Sequence, residues 1–103
     1  MGETDYLLFL TSEDRMRVFF LTERGKVVSF RVQYEAFILG AWRPIIRYDT
    51  AYRFPHIDVI HADGTQEKQP LFLTYGEGLT YALNDIITNW KQHRKRYEGE
   101  MSR

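Results

Sequence analysis

The chain contains no cysteine, which removes disulfide frameworks, thiolate metal sites and thiol nucleophiles together. That absence fits a cytoplasmic protein. It has no excess of charge either: fourteen basic residues balance fourteen acidic ones, so no global field draws it to nucleic acid or a membrane. A nucleic-acid role must then rest on a local patch. Long apolar runs are missing as well. The segment Tyr6-Leu7-Leu8-Phe9-Leu10 is short and follows Glu3 and Asp5, which suits neither a signal peptide nor a membrane span. It reads as an N-terminal strand or arm packed on the same chain. No internal repeat, linker or low-complexity stretch divides the sequence.

What is present describes one folded domain, residues 1–103, with an N-terminal arm or strand (1–15), a β-meander (16–73) and a C-terminal helix (75–97). A hydrophobic fraction of 44% and an aromatic fraction of 16% argue for an aromatic-rich core rather than a disordered chain. The first clear unit is a hairpin. Met16 to Leu21 runs into Glu23-Arg24-Gly25-Lys26, where Gly25 supplies the left-handed backbone of a tight turn. Beyond it Val28, Phe30, Val32 and Tyr34 alternate with Ser29, Arg31, Gln33 and Glu35, one buried face and one wet face. Leu39-Gly40 marks the next reversal. Trp42 to Asp49 follows as a strand in which Pro44 signals an edge, a bulge or a late start to pairing. Ile57 to His61 and Gln66 to Leu71 form a further hairpin about Asp63-Gly64, whose residue types suit a type I′ turn.

The period then changes. Leu79, Ala82, Leu83, Ile86, Ile87 and Trp90 form a helical stripe, and Thr74 and Glu77 stand at the spacing of a capping box. A helix from Tyr75 to Tyr97 would be roughly 35 Å long, enough to run past the edge of a small sheet and expose its basic last turns. The expected fold is α+β: an antiparallel four- to five-stranded meander packed against one long C-terminal helix.

Candidate chemistry concentrates between Arg47 and Asp58. If Ile46 and Tyr48 point inward with Trp42, then Arg43, Arg47 and Asp49 point outward; if Ile57 and Val59 point inward, His56 and Asp58 join them. Arg47, Asp49, His56 and Asp58 are the candidate catalytic residues. A histidine that titrates near neutrality, a carboxylate to fix its tautomer and a guanidinium to hold phosphate are parts of acid–base chemistry. Cross-strand ion pairing, with His56 capping the turn after Pro55, explains the same residues without chemistry. His56-x-Asp58 and His61-x-Asp63 repeat a spacing, but the two histidines differ in parity and no cysteine completes a tetrahedral set. Neither a metal site nor a cofactor is expected. Lys91, Arg94, Lys95 and Arg96 are the candidate nucleic-acid contacts at the helix end, with Trp90 or Tyr97 to stack. A solvated helix terminus accounts for them equally.

Arg47-Tyr48-Asp49-Thr50-Ala51, then Phe54-Pro55-His56-x-Asp58, then Asp63-Gly64, resembles the strand–turn–strand signature of the small TumE-type proteins, toxin components of prokaryotic toxin–antitoxin modules. Val18-Phe19-Phe20-Leu21, Gly25-Lys26-Val27-Val28, Trp42-x-Pro44-Ile45 and Asn89-Trp90 resemble a neighbouring group of short prokaryotic proteins without assigned function. The resemblance covers about residues 16 to 97. The group without assigned function is the nearer match, and the resemblance implies a sheet backed by a helix in a cytoplasmic prokaryotic protein of toxin-like activity, without an established catalytic mechanism. One reading is then a small toxin-like enzyme acting on RNA, with a cognate antitoxin or other small protein as partner. One position departs: similar proteins often carry histidine where this chain has Tyr52. The other reading is an interaction module without catalysis, which assembles through a sheet edge or the helix as a homodimer or with a partner, away from any membrane.

Overall fold

In a computed structural model that describes residues 1–102, six strands form one antiparallel sheet in simple sequential order, and a single helix covers one face. The strands are β1 (Gly2–Thr11), β2 (Asp14–Glu23), β3 (Lys26–Ile38), β4 (Ala41–Asp49), β5 (His56–Ile60) and β6 (Gln66–Pro70), followed by α1 (Tyr75–Met101). The strand beyond the expected four to five is the N-terminal segment, β1. It pairs with β2 along its length. Its apolar residues fall on both faces, Tyr6 and Leu8 on one and Leu7 and Phe9 on the other, so the alternation that betrays a strand is absent from the sequence.

Two of the reversals use paired left-handed residues, Arg24-Gly25 and Leu39-Gly40, the geometry whose twist matches that of the flanking strands. The Asp63-Gly64 reversal is different. Only Gly64 is left-handed there. Gly64 N–H donates to the His61 carbonyl, and Asp63 Oδ1 accepts from Thr65 N–H and from its hydroxyl, so the connection is a longer loop than a type I′ turn.

Three register shifts place Leu10, Val28 and Ile45 as the extra residues of their strands. Each changes which side chains face inward. Val27 packs on the core while Val28 is 37% exposed, the reverse of unbroken alternation. In β4 both Ile45 and Ile46 enter the core, because Pro44 lies opposite Glu35, Ile46 lies opposite Tyr34, and Ile45 bulges between them. Trp42 therefore lies on the open face with Phe9 and Phe37, under the Arg15 guanidinium. Its expected inward position assumed a continuous period of two.

The core joins Met16, Val18, Phe30, Val32, Tyr34, Ile46 and Tyr48 of the sheet to Leu79, Ala82, Ile86 and Tyr97 of α1. The Thr74–Glu77 capping box starts the helix. Gly78 lets its first turn approach the sheet: a Cβ there would stand 3.1 Å from Phe30 and 3.2 Å from Pro55. The last turns do not project into solvent. Tyr97 is buried, and Arg96 donates to the carbonyls of Ile45 and Ile60, so the carbonyl of a bulge residue and that of the β5 terminus are bonded from the helix. None of the described helices is long and apolar enough to cross a membrane.

Candidate functional site

The open face is organised in rows set by strand register. Asp5, Phe19, Arg31, Asp49 and His56 form one row, and Leu7, Arg17, Gln33, Arg47, Asp58 and Lys68 form the next. Arg47, Asp49, His56 and Asp58 thus meet on one face, with Arg47 opposite Asp58 and Asp49 opposite His56.

His56 is the centre of this group and is fully buried, at 0% exposure. The β4–β5 loop encloses it. Asp49 Oδ1 accepts from Ala51 N–H, Thr50 is tied to Phe30, and the Tyr52 and Phe54 rings stand 5.7 and 5.9 Å from the imidazole. Its Nε2 lies 2.7 Å from Asp49 Oδ1, 3.4 Å from Asp58 Oδ2 and 3.3 Å from Lys68 Nζ, while Nδ1 faces the Phe54 carbonyl at 3.4 Å. Two carboxylates therefore converge on one ring nitrogen.

Asp58 is 2% exposed, and the partners that face it among the described residues are charged side chains. Lys68 Nζ comes within 2.9 Å of its Oδ1 and pairs with it as a charged partner. Contact with that carboxylate raises the Lys68 ammonium above its ordinary range. Arg47 stands 3.9 Å from Asp58 Oδ2 and donates to Gln33 at 2.7 Å. His56 and Arg47 so reach the same carboxylate oxygen.

Arg47 also joins the cluster to a neighbouring cavity of about 260 Å³, lined by Asp5, Arg17, Val18, Phe19, Arg31, Gln33 and Arg47. Three guanidiniums and one carboxylate border it. Glu35 beside it is saturated: burial pushes its carboxyl up, but hydrogen bonds from Arg15, Gln33 and Arg17 outweigh that and hold it below its ordinary value. Lys68, Arg17 and Arg31 were not singled out from the sequence. Their outward positions on β6, β2 and β3 were the available signal, but only cross-strand register shows which of them share a row.

The four basic residues of the helix divide into two pairs. Arg94 is engaged by Asp14 at 2.8 Å and by Glu13 and Glu98, and Arg96 by sheet carbonyls and Glu100. Lys91, over the Trp90 ring, and Lys95 remain exposed. His61 lies apart from His56. It places Nδ1 on Glu100 of the helix and Nε2 on Glu67, so its two carboxylates sit on opposite sides of the ring.

The fold and site define a small α+β protein: a six-stranded antiparallel meander with a helix on one face and a histidine–carboxylate–arginine group on the other. The chain matches the family described as Domain of unknown function (DUF7718) over residues 1–103 and belongs to it. No curated protein and no solved structure matches the chain.

Proposed function

We propose that the open face binds and cleaves RNA, and that the protein is a toxin-like component of a prokaryotic module. The observation that carries this reading is the cavity bordered by Arg17, Arg31 and Arg47, joined through Arg47 to the Asp49–His56–Asp58 cluster. Guanidinium forks match the geometry of a phosphodiester, and three of them around one cavity suit a phosphate flanked by its neighbours. Phe19 offers a ring on which a base can stack.

His56 is enclosed, so it acts from behind Asp49, whose carboxylate reaches the surface. In this scheme the Asp49–His56 pair takes the proton of a ribose 2′-hydroxyl as that oxygen bonds to phosphorus. Lys68, half exposed, protonates the departing 5′-oxygen as the phosphorus–oxygen bond breaks. The products are a 2′,3′-cyclic phosphate and a free 5′-hydroxyl. The guanidiniums stabilise the charge that builds on the phosphoryl oxygens.

Expression in a bacterial host, with RNA cleavage by the purified chain as the second readout, tests this. Growth arrest and cleavage by the parent, both lost in Arg31→Ala and Arg47→Ala variants that keep the parent's circular dichroism, are the expected result. Full growth together with intact RNA overturns it. An adjacent gene for a small helix-turn-helix protein that relieves the arrest would supply the partner.

A second reading, an interaction module without catalysis, has its own support in β6. That strand is exposed throughout and leads to Phe72, which is 92% exposed, an open edge with an apolar anchor beside it. A small protein or a second copy would pair there. If Phe72→Ser and Glu67→Pro abolish assembly while Arg31→Ala leaves every property unchanged, this reading replaces the first.

A further inference from the structure

We infer that Asp49, His56 and Asp58 form a binding site for a divalent transition-metal cation. Their ligating atoms, a ring nitrogen and two carboxylate oxygens, all lie within 4.8 Å of one another. Ligands around a zinc-sized ion at bond lengths near 2.1 Å stand about 3 to 3.5 Å apart, close to the 2.7 and 3.4 Å that separate His56 Nε2 from Asp49 and Asp58.

The proton arithmetic of the site points the same way. The Phe54 carbonyl and the two carboxylates can only accept, so the one hydrogen of a neutral ring leaves either Nδ1 or Nε2 facing an acceptor. With the hydrogen on Nδ1, where the second nitrogen of a metal-bound histidine commonly carries it, a cation at Nε2 would satisfy every group. Nε2 then directs a lone pair at two carboxylates. A proton on Nε2 would serve only one of them well, whereas a cation between the three groups would serve both.

Asp58 supplies a second, independent observation. It is 2% exposed; its Oδ2 faces His56, and its Oδ1 is a buried acceptor whose one close partner is the Lys68 ammonium. Buried polar atoms are almost always satisfied, and here the charge is answered by side-chain cations, whose place an entering metal ion can take. The cations that face it are Lys68 and Arg47. Lys68 stands at the mouth of the cluster on an edge strand, its side chain 46% exposed and its Nζ 4.9 Å from the Tyr52 ring centroid, where it can withdraw and leave the three ligands to the ion. One nitrogen and two oxygens with further positions open suit manganese or zinc.

This inference concerns the site proposed above for RNA chemistry but does not require that chemistry. The test is calorimetric titration of the chelator-stripped full chain with Mn²⁺ and with Zn²⁺. A single ion per chain is expected, with affinity reduced about tenfold or more in Asp49→Asn and Asp58→Asn and increased in Lys68→Met, which removes the competing ammonium. His61→Gln should bind as the parent does. With Zn²⁺, ring-nitrogen resonances in NMR should move at His56 and stay in place at His61 and His93, a readout that does not depend on any variant folding. Absence of saturable binding, or binding lost in His61→Gln but kept in Asp58→Asn, overturns the site. Metal binding without RNA cleavage would sink the proposed function alone, and cleavage without metal binding would sink this inference alone.

Discussion

Where helix and sheet meet, Asp14 accepts hydrogen bonds from Thr11, Tyr34 and Arg94, and Asp85 accepts them from Tyr48, Asn89 and His93. On the open face Asp58, at 2% exposure against 3% for Asp14, is answered by the charges of Lys68 at 2.9 Å and Arg47 at 3.9 Å. Burial is equal and the partners differ in kind. A carboxylate that holds a fold together is surrounded by donors, because leaving it unpaired would cost several kcal/mol. One whose nearest partner is a half-exposed lysine on an edge strand is held by a contact that can be exchanged. The contrast separates architecture from site more sharply than exposure does.

The largest expected effect lies on the architectural side. Asp14→Ala leaves the Tyr34 hydroxyl and the Arg94 guanidinium without their shared partner and should cost about 3 kcal/mol or more, read as a lower denaturation midpoint at unchanged slope. A loss below about 1 kcal/mol would erase the difference between Asp14 and Asp58.

Next comes the pH dependence of Asp85. Burial pushes its carboxyl up, but the hydrogen bonds from His93, Tyr48 and Asn89 prevail and bring it down from 3.8 to about 2. A depressed carboxylate contributes stability that is complete above its unfolded value and lost as pH falls through the folded one. The contribution, on the order of 2 kcal/mol, should therefore vanish between about pH 4 and pH 2, and the Asp85→Asn variant should show no such step. Equal acid profiles for variant and parent would count against the network.

A smaller loss is expected from Arg96→Met, which keeps the aliphatic stem but frees the carbonyls of Ile45 and Ile60, at about 1 to 2 kcal/mol by denaturation. The smallest should be Asp58→Asn. Its stability should stay within about 1 kcal/mol of the parent or exceed it, because the ion pairs lost with Lys68 and Arg47 are offset by the desolvation cost of the buried charge that is removed. A destabilisation as large as that of Asp14→Ala would place Asp58 among the architectural carboxylates.

Much of this molecule was legible in residue order, and for particular reasons. Phe30, Val32 and Tyr34 alternate because β3 is central and has one wet face, and the stripe from Leu79 to Trp90 repeats at the helical period because one side of α1 lies on the sheet. The meeting of Arg47, Asp49, His56 and Asp58 followed from parity, since no bulge interrupts β4 after Ile46 or β5 before Ile60. Parity fails wherever a strand carries an extra residue. That is why Val28 and Trp42 face the wrong way for an unbroken alternation, and why β1, apolar on both sides, could be read as an arm. Long-range polar partners were out of reach for another reason. Nothing local in Arg94 or Arg96 says that a basic residue near a helix end will turn inward to a carboxylate 80 positions earlier or to the carbonyl of a bulge.

The bulge at Ile45 acts as a phase shift in a strand whose side chains otherwise keep a two-residue beat. Upstream of it Trp42 is in step with Phe37; downstream, Arg47 and Asp49 are in step with Gln33 and Arg31. Removing that one residue would turn over whichever half lost its anchoring, either driving Trp42 toward the helix or sending Arg47 and Asp49 into the aromatic layer around Tyr34 and Tyr48. The cationic cavity and the histidine cluster thus depend on the count of residues between Leu39-Gly40 and Asp49 as much as on their identities. A one-residue deletion there should do more harm than any single substitution in the strand.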